Sequence, residues 1–226
     1  LGPPGTVKLL DAVKFVYGRL KYPFEVRDLA PGQAVHWEDW YVAPFPVRHR
    51  GPSAFGYAIV EEVRRGRFDA ELAAELGVEF GPDFGRLERG ETVNGVTPEQ
   101  VIGPDRPGRK VVLSGDTAPC ETLRVAAHQA DVLVHEATFA DEEHERAAQT
   151  QHSTAKQAAE IARDAEVRLL ALTHLSSRYG GGELRDEART IFERTEVPRD
   201  YDTIEVPYPE KGEPELVRWE PGGVRA

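Results

Sequence analysis

The residues that could do chemistry in this chain are histidines and acids at the ends of predicted strands and helices. Four of the seven histidines and two carboxylates have such positions: His49, His135, His152, His174, Asp116 and Glu136. Imidazole and carboxylate groups without a thiolate suit Zn²⁺ or Mn²⁺ held for hydrolysis, whereas a structural zinc site would use cysteines. These residues are far apart in sequence, so a metal site requires the fold to bring them together.

Two apolar runs are predicted to position the acids. Val-Val-Leu leads into Asp116, and Val-Leu-Val leads into the pair His135-Glu136. Residues 121–130, between the two runs, are predicted to form a connecting helix. A buried strand that ends at an acid or a histidine presents that group at one edge of a sheet, where open α/β folds bind ligands. We therefore expect Asp116 and Glu136 to lie on the same edge.

The remaining histidines have comparable settings. His49 ends a predicted strand, although taken alone it fits a surface loop better than a ligand, and His174 ends an apolar strand. His152 lies just before the predicted helix 155–164, with Ser153 as the expected N-cap. Further helices are predicted at 7–20 and 184–194, and further strands at 22–27, 34–37, 55–61 and 203–206. The alternation of strands and helices predicts a layered α/β fold.

Other chemistries find little support in the sequence. Neither a GxGxxG motif nor a phosphate-binding P-loop is present, so we expect no nucleotide cofactor. A triad assembled from Ser114, His152 and Asp116 would lack the GxSxG turn that exposes a nucleophilic serine. The single cysteine, Cys120, is expected to pack near a helix start rather than to act as a nucleophile.

The composition limits the setting and the partners of the protein. The 226 residues carry a formal net charge of −11, which disfavours non-specific binding to nucleic acid, because that attraction depends on Lys and Arg over phosphates. No run of about 18 apolar residues occurs, so no membrane span is predicted. A single cysteine excludes an internal disulfide, which fits the reducing cytoplasm.

Residues 62–90 differ in composition from their surroundings. They are rich in both arginine and acids, contain Gly81-Pro82 and show little apolar period, with one short helix predicted at 70–76. Such a stretch is either a solvated insertion or a protruding arm that contacts a partner. Arginines beside glycine turns suit phosphate backbones, but the neighbouring acids weaken that interpretation, and the sequence leaves both open.

Short motifs carry a resemblance that covers nearly the whole chain. In chain order they are GPPGT at 2–6, PVRHRGPSAFGYAIVE at 46–61, LSGDT at 113–117, HEATF at 135–139, HST at 152–154 and LTHLSSRY at 172–179. Their order and spacing resemble those of the ribonuclease Z family, the tRNA 3′-processing endonucleases of the metallo-β-lactamase superfamily. SGDT with a later HEAT and LTH, together with an inserted arm, separates this family from most other members of the superfamily.

The resemblance implies a fold and a set of partners. The expected fold is α/β, the four-layer αββα sandwich of the metallo-β-lactamases, over residues 1–226, with residues 62–90 inserted as a flexible exosite arm. The arm, including Gly81 and Pro82, would grip the elbow of a tRNA away from the cut. Precursor tRNA is the implied substrate, and a cytoplasmic homodimer without a membrane partner is the implied assembly.

The resemblance also implies roles for the histidines and acids. His49 resembles a ligand that completes a first zinc site, Asp116 resembles a carboxylate that bridges both metals, and His174 resembles a ligand of the second. Glu136 and His152 resemble a pair that passes a proton to the leaving oxygen, a task that suits a histidine held by a carboxylate.

Three neighbouring positions receive lesser roles from the resemblance. His135 is expected to support the site without binding metal, and Arg178 and Ser176 are expected to contact phosphate. The implied chemistry is hydrolysis by two Zn²⁺ ions, with Mn²⁺ as an alternative. It would leave a 3′-hydroxyl on the tRNA and a 5′-phosphate on the trailer.

One motif of the family has no counterpart in the 226 residues. The HxHxDH motif, which supplies metal ligands and the catalytic aspartate, would precede the segment that resembles GPPGT, and the chain begins after it. The chain is therefore interpreted as an N-terminally truncated member or as a gene read from a late start. Fewer than half of the family's ligands remain, so we expect weak metal binding and little cleavage by this polypeptide alone.

Two other functions stay open from the sequence. The chain would be a non-catalytic module if it binds tRNA or a full-length subunit without cleavage. It would be another metallo-β-lactamase hydrolase if it acts on small esters or sulfates. Removing the arm separates the nuclease from the small-substrate hydrolase, because the nuclease alone should lose substrate affinity.

Overall fold

The computed structural model of the protein describes residues 1–51 and 53–220. Nine α-helices lie in these ranges: α1 Thr6–Ala12, α2 Lys14–Tyr17, α3 Ala70–Glu75, α4 Pro82–Glu88, α5 Pro98–Val101, α6 Glu121–Ala127, α7 His144–Thr150, α8 Ala155–Asp164 and α9 Gly181–Arg189. Nine strands lie in the same ranges: β1 Val35–His36, β2 Trp40–Pro46, β3 Phe55–Glu61, β4 Lys110–Leu113, β5 Val132–Glu136, β6 Leu169–Thr173, β7 Thr195–Glu196, β8 Thr203–Glu205 and β9 Glu215–Val217. None of the described helices is long and apolar enough to cross a membrane.

Strands β1 to β7 form one sheet in chain order. Strands β1 to β4 pair antiparallel, and strands β4 to β7 pair parallel. Helices connect the parallel strands, α6 between β4 and β5, and α7 and α8 between β5 and β6, because parallel neighbours need a crossover connection. Strands β8 and β9 pair with each other in a separate antiparallel sheet. The α/β class predicted from the sequence is confirmed.

The carboxyl ends of β4, β5 and β6 meet at one edge of this sheet. Glu136 at the end of β5 lies opposite Thr173 at the end of β6. Asp116 lies in the loop after β4, and His174 directly follows β6. The sheet therefore has the arrangement that the apolar runs predicted, with the acids on a common edge.

Apolar side chains cover both faces of the parallel strands, as expected for strands buried between layers. One face packs against α6, α8 and α9 in a cluster that includes the alanine-rich side of α8. The other face carries Val132, Leu169 and Ala171, which pack against Ile204 and Val206. Helices, the seven-stranded sheet and the β8 segment thus form three successive layers.

Helix α8 has the predicted bounds, but its N-cap lies one residue later than predicted. Thr154, and not Ser153, is the N-cap: its side chain accepts from Gln157 N at 3.1 Å, and Gln157 Oε1 accepts from Thr154 N at 3.0 Å. Ser153 is buried and donates its hydroxyl to the Thr117 carbonyl at 2.6 Å. The hydroxyl predicted to cap the helix instead ties the start of α8 to the loop after β4.

The insertion forms a compact unit, Glu62–Gly108, which we call the 62–108 unit. The composition predicts an insertion that ends at residue 90 and has too little apolar period for packing. The unit instead continues to Gly108 and contains a buried apolar cluster, whose members are Ala73, Val78, Leu87, Val93, Val96 and Val101. Its helices α3, α4 and α5 are only four to seven residues long, too short for a periodic pattern to reveal the cluster.

The N-terminal region departs most from the sequence prediction. The single helix predicted at 7–20 is instead two short helices, α1 and α2, separated at Val13. The strand predicted at 22–27 is wrong, because those residues form no strand. Pro23 contributes to this result, since it has no backbone N–H to donate to a ladder.

Candidate active site

Asp116, His152 and His174 converge at the edge where β4, β5 and β6 end. One potential ligand atom of each residue lies within 4.8 Å of those of the other two. His174 Nε2 is 3.6 Å from Asp116 Oδ2, and the rings of His152 and His174 stack with centroids 5.3 Å apart. The fold therefore brings three of the predicted site residues into one group, which we call the ligand group.

Two residues at the ligand group have a left-handed backbone. Gly115 has a φ of +62° in the turn that leads to Asp116, a conformation that glycine adopts without strain. His174 has a φ of +53°, which is uncommon for a residue with a side chain and costs free energy. Strain of this kind persists where surrounding contacts hold it, and it is frequent at functional sites.

Glu136 is fully buried and accepts hydrogen bonds on both carboxylate oxygens. Oε1 accepts from Thr117 N at 2.8 Å and from His152 Nδ1 at 2.7 Å. Oε2 accepts from Thr138 Oγ1 at 2.7 Å and from Thr138 N at 3.2 Å. Both oxygens act as acceptors, as those of a carboxylate do, and these donors offset the cost of burying the group.

His152 is oriented by Glu136. Because Nδ1 donates to Glu136 Oε1, Nε2 is the ring nitrogen that remains for a metal ion or a substrate. An imidazole held by a carboxylate serves either as a metal ligand or as a proton donor. The structure thus places His152 both in the ligand group and in a dyad with Glu136.

His49 lies beside the ligand group and not within it. Strand β2 ends at Pro46, so His49 is in the following loop and does not end a strand as predicted. Its Nδ1 donates to the Gln151 carbonyl at 3.0 Å, and its ring meets the His152 ring edge-on at 4.9 Å. Nε2 of His49 is therefore the nitrogen left for a ligand role.

His135 is fully buried next to the site. Its Nδ1 donates to the Glu136 carbonyl at 2.7 Å, and its Nε2 has no hydrogen-bond partner in the part of the chain that the structure describes. Burial lowers the pKa of His135, so the ring is held neutral. The supporting role that the resemblance implies for His135 stays a prediction.

Arg178 and Ser176, which were predicted to contact phosphate, lie in the loop after β6. The exposed Arg178 guanidinium pairs with Glu143 at 2.9 Å and lies 5.4 Å from the centroid of the Phe139 ring. Ser176 Oγ accepts from Arg178 Nε at 3.3 Å. A hydrogen bond from Tyr179, followed by the charge of Arg178, lowers the pKa of Glu143. Arg178 would have to exchange this carboxylate for a phosphate.

Gly81 and Pro82 belong to the 62–108 unit. Gly81 has a φ of +148° and precedes α4, and Pro82 occupies the first turn of that helix. Proline suits this position because the missing N–H would have no partner within the helix. The ligand group contains no residue of this unit.

Two threonines that no sequence pattern marks, Thr117 and Thr138, complete the site. Thr117 donates its N–H to Glu136, and Thr138 bonds Glu136 through both its N–H and its hydroxyl. The sequence feature that could have indicated them is their position in the polar runs that follow β4 and β5. Their partners depend on loop conformation, which these short runs do not specify.

The donor set of the ligand group fits a divalent metal ion. It combines one carboxylate with two imidazoles and contains no thiolate. Three protein ligands and an open position are typical of catalytic zinc sites. Nδ1 of His152 is bonded to Glu136, and Nδ1 of His174 lies 2.8 Å from Thr138 Oγ1, which is the outer support that metal-binding histidines usually have. The ligand group is therefore a candidate metal site.

Comparisons with known proteins identify the class to which the fold and the candidate metal site belong. A family model described as the beta-lactamase superfamily domain matches residues 85–175. The short form of human tRNase Z aligns with a TM-score of 0.58 at 21% identity, over 91% of this chain and 66% of that chain. The metallo-beta-lactamase fold protein YhfI from Bacillus subtilis aligns with a TM-score of 0.57 at 15% identity, over 87% and 60%. The chain has the metallo-β-lactamase fold.

Sequence relatives narrow this class to one family. Three proteins named Ribonuclease Z, from Gemmatimonas aurantiaca, Myxococcus xanthus and Haloferax volcanii, are each 46% identical to this chain. The matches cover 90%, 91% and 92% of this chain, and 68%, 70% and 68% of the respective relatives. The chain belongs to the Ribonuclease Z family.

Proposed function

We propose that this protein is a metal-dependent endoribonuclease that removes 3′ trailers from precursor tRNA. The observation that carries the proposal is the convergence of Asp116, His152 and His174 beside the buried Glu136, in a chain of the Ribonuclease Z family. A metal site next to a histidine–carboxylate dyad meets two needs of phosphodiester hydrolysis, stabilisation of charge on the phosphate and protonation of the leaving oxygen.

Asp116 and His174 are the proposed metal ligands, with His49 as a further ligand through Nε2. A bound Zn²⁺ supplies Lewis-acid stabilisation of charge on the phosphate. Two Zn²⁺ are proposed for the family's complete ligand set, with Asp116 as the shared carboxylate. Mn²⁺ is an alternative, because it accepts the same nitrogen and oxygen donors.

Glu136 and His152 are the proposed proton-transfer pair. Because Glu136 holds the Nδ1–H of His152, the transferable proton is on Nε2 of the charged ring. A water oxygen forms the new bond to phosphorus and releases a proton to solvent. The proton on His152 Nε2 passes to O3′ of the tRNA as the bond between O3′ and phosphorus breaks. The carboxylate stabilises the charged ring and keeps Nε2 in one orientation. The products are a tRNA with a 3′-hydroxyl and a trailer with a 5′-phosphate.

Contacts to the rest of the substrate are assigned to two regions. The 62–108 unit is the proposed exosite for the tRNA elbow, with Gly81 and Pro82 at the start of α4 among its contact residues. Arg178, with Ser176 beside it, is the proposed contact to a phosphate near the cut, where phosphate replaces Glu143 as its partner. The proposed active assembly is a cytoplasmic homodimer.

Cleavage of a precursor tRNA tests this proposal. The 226 residues contain no HxHxDH motif, so we expect slow cleavage by the chain itself. We expect faster cleavage when an HxHxDH-bearing segment of the family is joined ahead of Leu1, a protein we call the complemented chain. Chelation or Asp116→Asn should abolish this cleavage, whereas Asp200→Asn, at an exposed position outside the 62–108 unit, should leave it unchanged.

The outcomes separate the proposed function from its alternatives. Cleavage by the complemented chain that survives both chelation and Asp116→Asn would contradict the assignment of the site. Binding of tRNA without cleavage would favour a non-catalytic module. Turnover of small esters or sulfates without turnover of tRNA would favour another hydrolase of the metallo-β-lactamase fold.

A further inference from the structure

The Thr138 hydroxyl lies between the buried carboxylate and a histidine of the ligand group. Its Oγ1 is 2.7 Å from Glu136 Oε2 and 2.8 Å from His174 Nδ1. Longer contacts join Oγ1 to the His174 carbonyl at 3.2 Å and to His152 Nδ1 at 3.3 Å. Thr138 is therefore the residue through which Glu136 reaches His174.

The hydrogens in this chain of contacts can be assigned by counting donors. A hydroxyl has one hydrogen to donate, and its oxygen can accept others. The short contact to Glu136 Oε2 takes that hydrogen, because bonds to a charged acceptor are the stronger ones. If the hydroxyl donated to the His174 carbonyl instead, it would again have no hydrogen left to donate to His174 Nδ1. In either case Oγ1 can only accept from His174 Nδ1, so Nδ1 carries a hydrogen.

This assignment fixes the other nitrogen of the ring. In a neutral imidazole with a hydrogen on Nδ1, Nε2 carries a lone pair. Nε2 of His174 is the nitrogen that lies 3.6 Å from Asp116 Oδ2. A lone pair and a carboxylate oxygen that face each other are what a cation requires from two ligands.

We propose that Thr138 is a positioning residue that fixes the Nδ1–H tautomer of His174 and so presents Nε2 to the metal site. Glu136 then orients both imidazoles of the ligand group, His152 directly and His174 through Thr138. The same contacts hold His174 in its left-handed backbone conformation. The tautomer of His174 can be measured on this chain without RNA. Only its effect on cleavage rests on the proposed function.

Two substitutions test the role of the hydroxyl. Thr138→Val removes it with nearly unchanged shape, and Thr138→Ser retains it. Long-range ¹⁵N–¹H spectra of the metal-free 226-residue chain report which nitrogen of His174 carries the hydrogen. We expect the hydrogen on Nδ1 in the wild type and in Thr138→Ser, and a shift towards Nε2 in Thr138→Val. A hydrogen on Nε2 in the wild type, or an unchanged Thr138→Val spectrum, would overturn the proposal.

Zn²⁺ affinity, measured by competition with a chelating dye, gives an independent reading. Loss of an outer partner of a metal-binding histidine typically weakens metal binding about 10–100-fold, and we expect that loss in Thr138→Val. Thr138→Ser should restore affinity, and Thr190→Val, which removes an exposed hydroxyl bonded to the Glu187 carbonyl, should not change it. Equal affinities in all four proteins would also overturn the proposal.

The controls separate this proposal from a general loss of structure and from the proposed function. Circular dichroism and thermal unfolding show whether Thr138→Val is folded. If it is not, the wild-type tautomer and the Thr138→Ser affinity still decide the question. The predicted tautomer in a chain whose complemented form does not cleave tRNA would refute the proposed function and leave the role of Thr138 intact.

Discussion

At the scale of single residues, Glu136 is the side chain on which its neighbours depend. It has no exposed surface, and its oxygens accept from the backbone, a hydroxyl and an imidazole. A buried carboxylate surrounded by donors has one stable orientation, because losing any of these bonds leaves a polar group unpaired. The orientation of Glu136 thereby determines which nitrogen of His152 faces the ligand group.

Replacing His152 by alanine distinguishes a proton donor from a metal ligand. If His152 is the donor, cleavage by the complemented chain should fall about 10²–10⁴-fold, the usual contribution of general acid catalysis, while Zn²⁺ affinity stays nearly constant. Single-turnover cleavage and dye competition measure the two quantities. Glu136→Gln should lower cleavage in the same direction, because an amide presents donors where Glu136 accepts. His144→Ala, at an exposed histidine, is the matched control.

A large loss of Zn²⁺ affinity in His152→Ala would contradict the donor assignment. His152 would then be a ligand, as its place in the ligand group also permits. Retention of both cleavage and affinity would remove His152 from the site altogether.

At the scale of elements, the site is formed by loops whose starting points are fixed by a parallel sheet. Register places the ends of β5 and β6 side by side, and the buried Ser153 fastens the start of α8 to the loop after β4. The loop that carries His49 is fastened in the same way, since Arg48 N donates to Thr117 Oγ1 at 3.1 Å. Thr117 thus connects three segments of the site.

Strand β5 is buried along most of its length, and this burial predicts a pH dependence of stability. Because burial lowers the pKa of His135 from its ordinary value near 6.5, the unfolded chain binds a proton more readily than the folded chain. The free energy of unfolding should therefore fall as pH drops below about 6.5, by up to about 1.4 kcal/mol per pH unit from this residue.

Urea unfolding of the wild type and of His135→Asn between pH 8 and pH 5 measures this contribution. Asparagine retains a donor for the Glu136 carbonyl but does not titrate. The stability of the wild type relative to the variant should decrease with falling pH. Parallel profiles for the two proteins would show that His135 does not titrate on unfolding in this range.

The elements that could be predicted from the sequence are those with long or regular patterns. Strand β3 and helix α8 have the predicted bounds, because each is a continuous run with clear turn or capping residues at its ends. The prediction of a strand at 22–27 is wrong because the apolar pattern there is short. Pro23 also lacks the N–H that would pair with a neighbouring strand. The group of Asp116, Glu136 and His174 was predictable because each ends or follows an apolar strand. Thr138 was not, because its role depends on contacts between loops.

At the scale of the whole molecule, Glu61 and Arg109, the residues on either side of the 62–108 unit in the sequence, bond each other. Glu61 N donates to the Arg109 carbonyl at 2.9 Å, and Arg109 N donates to Glu61 Oε2 at 3.0 Å. The Arg109 side chain adds a salt bridge to the same carboxylate. These bonds join the end of β3 to the residue that precedes β4, and they involve no residue of the 62–108 unit.

Excision of residues 62–108, with a short Gly/Ser linker between Glu61 and Arg109, tests the exosite. We expect the complemented chain to keep its fold and its hydrolysis of a small phosphodiester, because the ligand group lies outside the unit. Affinity for precursor tRNA should fall at least tenfold. Filter binding and small-substrate turnover measure the two effects. An unchanged affinity for tRNA would rule out the unit as the exosite.

The central claim is that the loops at the ends of β4 and β6 carry metal ligands. Zn²⁺ binding by the 226-residue chain tests this claim most directly. Dye competition should give a measurable affinity for the wild type, at least a tenfold loss in Asp116→Asn and in His174→Ala, and no change in Asp105→Asn. The first two variants remove members of the ligand group, and the third removes an exposed acid outside it. Equal affinities in all four proteins, or no binding by the wild type, would contradict the account.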